Sequence, residues 1–273
     1  MNENDQNGPL LPSNRSEDNV VLKDLKVEYT KVEDVLSSNL GNLSQKDKYD
    51  LIKFSIIVNA VHDYQWEFYR KPSEIKKNFA DIQRELSRNN IALTGEKASF
   101  FPKVANLSND SFQSHIADIQ NYYSTLFQDP QIYNTLSLKE FFNISLESFN
   151  NNNGKKPFEG LIQKKADPQC LRTAFSYACK CLEYFLFPQF NDRWFVLKDD
   201  SIYYMDASNS KIRKYVYIFD KNSEVTKEGN NCISATIGLR RLILKFKTAF
   251  EREIWYVEIM KRVNAYKNAS NNI

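Results

Sequence analysis

Leu25-Lys26-Val27-Glu28-Tyr29 alternates apolar and polar side chains, as a strand with one buried face does. Leu51 to Val61 is denser in Ile, Val and Phe and predicts a second, more buried strand. His62-Asp63-Tyr64 turns the chain, and Gln65 to Arg70 returns as a third strand, so the opening reads as an antiparallel meander. The period then changes. Ile75, Phe79, Ile82 and Leu86 recur at helical spacing behind Ser73, a residue type suited to the N-cap. Phe100-Phe101-Pro102-Lys103 breaks the pattern and predicts an extended loop. Asp110 or Ser111 starts a second helix with Phe112, Ile116, Ile119, Tyr122 and Leu126 on one stripe, and Ser137 caps a short one carrying Leu138, Phe141 and Phe142.

Beyond Asn150 the period reverts to strands. Gly160-Leu161-Ile162 begins one. Arg193 to Lys198, Ser201 to Met205, Tyr215 to Phe219, Ser234 to Ile237 and Leu242 to Phe246 predict five more. The aromatic-rich stretch Cys170 to Phe190 reads as helix or inserted loop. Thr248 caps a closing helix with Trp255, Ile259 and Val263 on one face. Short strands closed by one helix predict a small barrel or sandwich plugged by that helix. Asn150 to Lys156 has no apolar residue and reads as a linker. The expected organisation is a tail at 1–20, a domain at 21–149, a linker at 150–157, a domain at 158–265 and a tail at 266–273, and the class is α+β.

Composition supports two cores: 14% of the 273 residues are aromatic. Charge is uneven. Residues 1–154 carry 16 basic and 21 acidic side chains, whereas residues 155–265 carry 20 and 13. A basic half suggests a polyanionic partner, either nucleic acid or anionic lipid; evenly solvated charge is the alternative. Nucleic acid is disfavoured, because the basic residues lack a stacking platform or a helix register. No apolar run reaches the length of about 18 residues that spans a bilayer, and Met1 to Pro12 has no signal-peptide core, so a cytoplasmic location is expected. Cys170, Cys179, Cys181 and Cys232 should be reduced thiols. They form no Cys-x2-Cys pair and have no nearby His, so no metal site and no cofactor are expected. Cys179 and Cys181 read as apolar filler, with acylation as the alternative.

Certain runs resemble known families. Glu159-Gly160-Leu161-Ile162, then Arg193 to Asp199, Ser201-Ile202-Tyr203-Tyr204 and Trp255 in the closing helix resemble a pleckstrin homology (PH) domain. The first half resembles a phox homology (PX) domain, with Arg70-Lys71-Pro72-Ser73-Glu74-Ile75 at its basic motif and Phe101-Pro102-Lys103 at its loop. PX followed by PH, with an aromatic insertion in the latter, resembles the regulatory half of a eukaryotic phospholipase D. That family's catalysis uses two His-x-Lys-x4-Asp motifs, one His attacking phosphorus and the other protonating the leaving alcohol. The two histidines here, His62 and His115, are followed two residues later by Tyr64 and Ala117, so the chain as given should do no such chemistry.

The resemblance implies a peripheral, phosphoinositide-binding, membrane-targeting regulatory module. Its implied lipid contacts are Arg70, Lys71, Lys103 and His115 in the first half, with Pro72 where relatives carry a stacking aromatic. In the second they are Lys164, Lys165 and Arg193, with Asn191 where relatives carry a second base, and Lys211, Arg213, Lys214, Arg240 and Arg241 add diffuse charge. Two alternatives stand beside it. One is a partial chain of a phosphatidylcholine-hydrolysing phospholipase D. The other is a trafficking adaptor whose folds bind proteins, a catalytic domain or regulatory proteins among them.

Overall fold

The computed structural model describes residues 20–36, 49–60, 62–91, 112–149, 156–165, 190–229 and 231–270. The Phe101-Pro102-Lys103 loop, most of the Asn-rich linker, nearly all of the Cys170 to Phe190 stretch, and residues 1–19 and 271–273 of the expected tails lie outside these residues, whereas residues 266–270 continue the closing helix.

Strands β1 (Val21–Lys31), β2 (Asp50–Asn59) and β3 (Asp63–Arg70) form a three-stranded antiparallel sheet in sequence order, with a short helix α1 (Val32–Leu36) after the first. β2 is central, and its alternate residues Leu51 aside, Ile52, Phe54, Ile56 and Val58, are fully buried on one face. Against that face pack α2 (Pro72–Arg88), α3 (Ile116–Phe127) and α5 (Leu136–Phe141), with a single-turn α4 (Pro130–Tyr133) between the last two. Phe54 is the hub. Its ring stacks on Phe68 at 5.0 Å and meets Phe141 edge-on at 5.4 Å. Each such pair adds about 0.5–1.5 kcal/mol beyond area burial.

Three helix starts differ from the sequence expectation. The helix expected from Asp110 or Ser111 runs as a 3-10 turn, Gln113–His115, before α3 opens at Ile116. α2 begins at Pro72, not after Ser73. Proline suits the first helical position because it has no N–H to satisfy, and the Glu74 carboxylate accepts the Lys71 backbone N–H at 2.9 Å. α5 begins at Leu136, one residue before Ser137. Its first N–H groups, of Leu136 and Ser137, donate to Glu85 of α2 at 2.7 and 2.9 Å. A cap supplied from another helix leaves no local sequence signal.

The second half is a seven-stranded antiparallel sheet in the order β7-β6-β5-β4-β10-β9-β8, closed by α6 (Ala249–Ser270). Its strands are β4 (Phe158–Lys165), β5 (Phe190–Leu197), β6 (Ser201–Met205), β7 (Arg213–Ile218), β8 (Glu224–Glu228), β9 (Cys232–Ile237) and β10 (Arg240–Lys245). The Thr248 hydroxyl caps α6 by accepting the Glu251 N–H at 3.1 Å. Trp255, Ile259 and Val263 of α6 are buried in the core with Phe195, Leu197, Ile202, Leu242 and Leu244. β8 was not legible, because only Val225 among its five residues is apolar.

β5 and β6 are buried on both faces. Phe195, Leu197 and Ile202 face the core, while Trp194, Val196, Tyr203 and Met205 form a second buried cluster on the other face. The end of the first half lies across that outer face. Leu146 donates its N–H to the Ser208 carbonyl at 3.2 Å, and Glu147 pairs with Arg213 at 2.7 Å. Beneath them Glu159 is the anchor. Its carboxylate accepts from Ser145, Ser148 and the Trp194 indole N–H, the last at 2.8 Å, and pairs with Lys156 at 2.7 Å. A second contact joins the halves where Phe250 of α6 meets Tyr69 at 5.4 Å and is buried with Val32, Leu36 and Leu51.

Candidate functional site

The core-facing rows of the second half end in cations. Along β4 the row is Gly160, Ile162, Lys164; along β5, read towards its start, it is Leu197, Phe195, Arg193; along β10, read likewise, it is Leu244, Leu242, Arg240. Side chains alternate across a strand with period two, so each row leaves the apolar core and delivers its last member to one open end of the sheet. Tyr204 and Tyr215, paired across β6 and β7, line that end. The Lys164 ammonium lies 5.3 Å from the Tyr204 ring centre, and the Arg240 guanidinium lies 4.1 Å from that of Tyr215. Both distances are within cation–π range. Burial raises the Tyr204 hydroxyl above its ordinary pKa, and the charges of Arg193, Lys214 and Arg240 act against it while Asp206 adds to it. Those charges therefore act on one hydroxyl.

Asp206, just past β6, bridges two of the cations. One carboxylate oxygen lies 2.9 Å from Lys214 and the other 3.5 Å from Arg193. Among the described residues, two connections at this end carry large apolar side chains in water: Ile212 is 66% exposed and Leu239 100%. Leu239 stands on a two-residue hairpin whose other member, Gly238, has a φ of +58°, a conformation natural to glycine.

Of the residues expected from sequence in this half, Lys164 and Arg193 come together here. Lys165 and Lys211 are exposed and outside the ring of contacts. Arg213 is a correction. The β6–β7 register shifts between Tyr204 and Met205, which sets Arg213 opposite Met205 on the outer face. There it pairs with Glu147 and lies 4.8 Å over the Tyr203 ring. A one-residue register shift reverses the face a side chain occupies. Lys214 and Arg240, expected only as diffuse charge, stand beside Lys164 and Arg193. Arg240 was legible from its parity with Leu242 and Leu244.

The first half is less favourable. Arg70 is also a correction: its guanidinium donates to the carbonyls of Tyr69 and Phe141 and to Asn143, and lies 4.7 Å over the Phe68 ring. Desolvation lowers its pKa, with Glu74 and Glu251 opposing. It is a structural brace. Lys71 lies 3.7 Å over the Tyr49 ring. His115 ends the short 3-10 helix Gln113–His115 beside Ser114, and Lys103 lies outside the described residues.

A cleft of about 540 Å³ opens between α2 and α5 on one side and β4 and α6 on the other. Glu74, Glu140 and Glu251 line it with Arg70, Phe158 and Trp255. Burial raises the Glu140 and Glu251 carboxyls above their ordinary pKa, and Lys77 and Lys247 line the cleft beside them. Among the described residues, no group of three or more His, Cys, Asp or Glu side chains could hold a metal ion, and no helix is long and apolar enough to cross a membrane.

Residues 158–264 match the PH domain family. The PH-like half thus comprises the seven-stranded sheet and its closing helix. Solved structures similar to the chain include the N-terminal PH domain of human ARAP2, at 18% identity and a TM-score of 0.29, covering 40% of this chain and 79% of that one. They also include the tandem PX-PH domains of Bem3 from Saccharomyces cerevisiae, at 14% identity and a TM-score of 0.25, covering 85% and 92%. No curated protein matches the chain.

Proposed function

We propose that the chain is a non-catalytic, membrane-targeting module whose PH-like half binds anionic headgroups, phosphoinositides foremost, and whose first half is a PX-like partner fixed to it. The observation that carries this reading is the convergence of Lys164, Arg193, Lys214 and Arg240 around Tyr204 and Tyr215. A charge-assisted bond to phosphate is worth about 1.5–3 kcal/mol. A cation near an anionic bilayer adds about 1 kcal/mol. Exposed Leu239 and Ile212 flank the cations and suit a bilayer, which offers charge at its surface and hydrocarbon beneath. The first half contributes less to headgroup binding in this reading, because Arg70 is turned inward. Regulation of a phospholipase D-type catalytic domain is a further step that rests on the sequence motifs alone.

A protein-adaptor role has one observation in its favour. β7 is the end strand of its sheet, and Val216 and Ile218 on it are 43% and 65% exposed. Such an edge accepts an added strand from a partner.

The test is sedimentation with phosphatidylcholine vesicles containing each phosphoinositide in turn. The lipid reading predicts binding that Lys164→Glu with Arg193→Glu abolishes. Equal sedimentation with neutral and anionic vesicles would sink it and turn attention to the β7 edge.

A further inference from the structure

We propose that Asp206 sets the affinity threshold of the headgroup site, as an internal anion that a ligand must displace; the inference rests on the lipid reading above. Its carboxylate spans Lys214 and Arg193 at 2.9 and 3.5 Å, the place a phosphate would occupy to engage both cations. The three side chains are partly exposed, at 50%, 46% and 32% for Asp206, Lys214 and Arg193, so an incoming headgroup can reach them. The carboxylate is also held near its cations. The connection that follows it is fastened to the first half through Ser208, whose carbonyl accepts the Leu146 N–H at 3.2 Å and whose hydroxyl donates to Glu140 at 3.1 Å.

Displacement sets a charge criterion. Asp206 already supplies about one negative charge to the two cations. A phosphodiester or the carboxylate of phosphatidylserine supplies about one as well and gains little by replacing it. A phosphomonoester carries about −1.5 to −2 near neutral pH and three acceptor oxygens, so it gains on both counts. The ligand class that clears the threshold is therefore the phosphomonoester, as on a phosphorylated inositol ring, and adhesion to singly charged lipids falls below it. The neighbouring Asp192 takes no part in this bridge; it accepts from Gln163 at 3.1 Å.

The experiment compares the full chain with Asp206→Asn, Asp206→Glu and Lys164→Glu/Arg193→Glu. Each is titrated with phosphatidylcholine vesicles containing either phosphatidylserine or a phosphatidylinositol bisphosphate. Removing two exposed ion pairs should raise phosphatidylserine binding about three- to fivefold. Bisphosphate binding should rise by about the same factor, because displacement is common to both ligands, and Asp206→Glu should restore the wild-type affinities. Soluble inositol trisphosphate should show the same gain in Asp206→Asn, because the displaced contact is with the phosphate and not with the bilayer. Affinities unchanged or decreased in Asp206→Asn overturn the assignment, as does a gain seen only on vesicles. If the double charge reversal leaves wild-type binding intact, the headgroup reading itself fails and this inference falls with it. If the reversal abolishes binding while Asp206→Asn leaves the affinities unchanged, only the role of Asp206 fails.

Discussion

Replacing Glu159 with Gln should destabilise the chain far more than an average surface change. Glu159 is 2% exposed and is paired with Lys156, whose side chain is 2% exposed. Two serine hydroxyls and the Trp194 indole also donate to it. An amide preserves the shape but removes the charge, leaving the ammonium of Lys156 buried without its counter-ion. Breaking a buried pair from one side costs about 3–5 kcal/mol. With a urea m-value of about 3 kcal/mol/M, the unfolding midpoint should fall by about 1 M or more. The loss should depend on pH. Burial pulls the Lys156 pKa below its ordinary value while Glu159 opposes that pull. Without Glu159 only the downward pull remains, so the unfolded state binds more protons than the folded state. Stability of Glu159→Gln should therefore rise with pH, from the depressed folded pKa up to the ordinary lysine value of about 10.4. Lys156→Met combined with Glu159→Gln should recover most of the loss at neutral pH, because no buried charge is then left over. Urea titrations of the wild type and both variants at several pH values would measure this. A loss under about 1 kcal/mol for Glu159→Gln, the range of an exposed pair, would refute the reasoning.

Three other outcomes are expected. Arg70→Ala should cost about 1.5–3 kcal/mol, the worth of hydrogen bonds from a charged donor, while vesicle binding is unchanged; urea unfolding and sedimentation measure the two separately. Leu239→Ser should leave thermal stability unchanged, since the side chain is 100% exposed, yet weaken vesicle binding by up to about tenfold if the leucine enters the bilayer. Burial and Glu74 raise the Glu251 carboxyl, so the folded state holds a proton that the unfolded state releases, and stability should fall as pH rises from about 4.3 through the raised value; Glu251→Gln should flatten that slope in a pH series of unfolding curves.

Most strands and the closing helix were legible, because burial imposes a period on the residues that line a core. Leu242-Ile243-Leu244 and Trp255, Ile259, Val263 state their faces directly. The helices α2 and α5 begin at Pro72 and Leu136, not after Ser73 and Ser137, because proline chemistry and a distant carboxylate, Glu85, outweighed the local capping signal. β8 escaped notice because an end strand needs few apolar residues. The cluster was partly legible. Lys164 and Arg193, named from motif position, and Lys214 and Arg240, named only as diffuse charge, stand at one end of the sheet, and the place of Arg240 follows from strand parity. Arg213 and Arg70 misled for a common reason: sequence shows a charge but not its partner. Arg213 is turned by a register shift towards Glu147, and Arg70 is drawn inward by backbone carbonyls. The uninterrupted apolar runs at Trp194 to Leu197 and Ile202 to Met205 mark the surface joined to the first half, since only a strand covered on both sides lacks a polar face.

The central claim is that binding depends on where the cations stand and not on net charge alone. Two charge-matched variants test it: Arg193→Glu/Arg240→Glu at the open end of the sheet, and Lys221→Glu/Lys261→Glu on exposed positions outside it. Both change the net charge equally. The measurement is the affinity of each for phosphatidylcholine vesicles containing a phosphatidylinositol bisphosphate, at one fixed salt concentration. Loss of binding in the first variant with near-wild-type binding in the second is the predicted result. Equal weakening of both would contradict the account and reduce the protein to a diffusely basic surface.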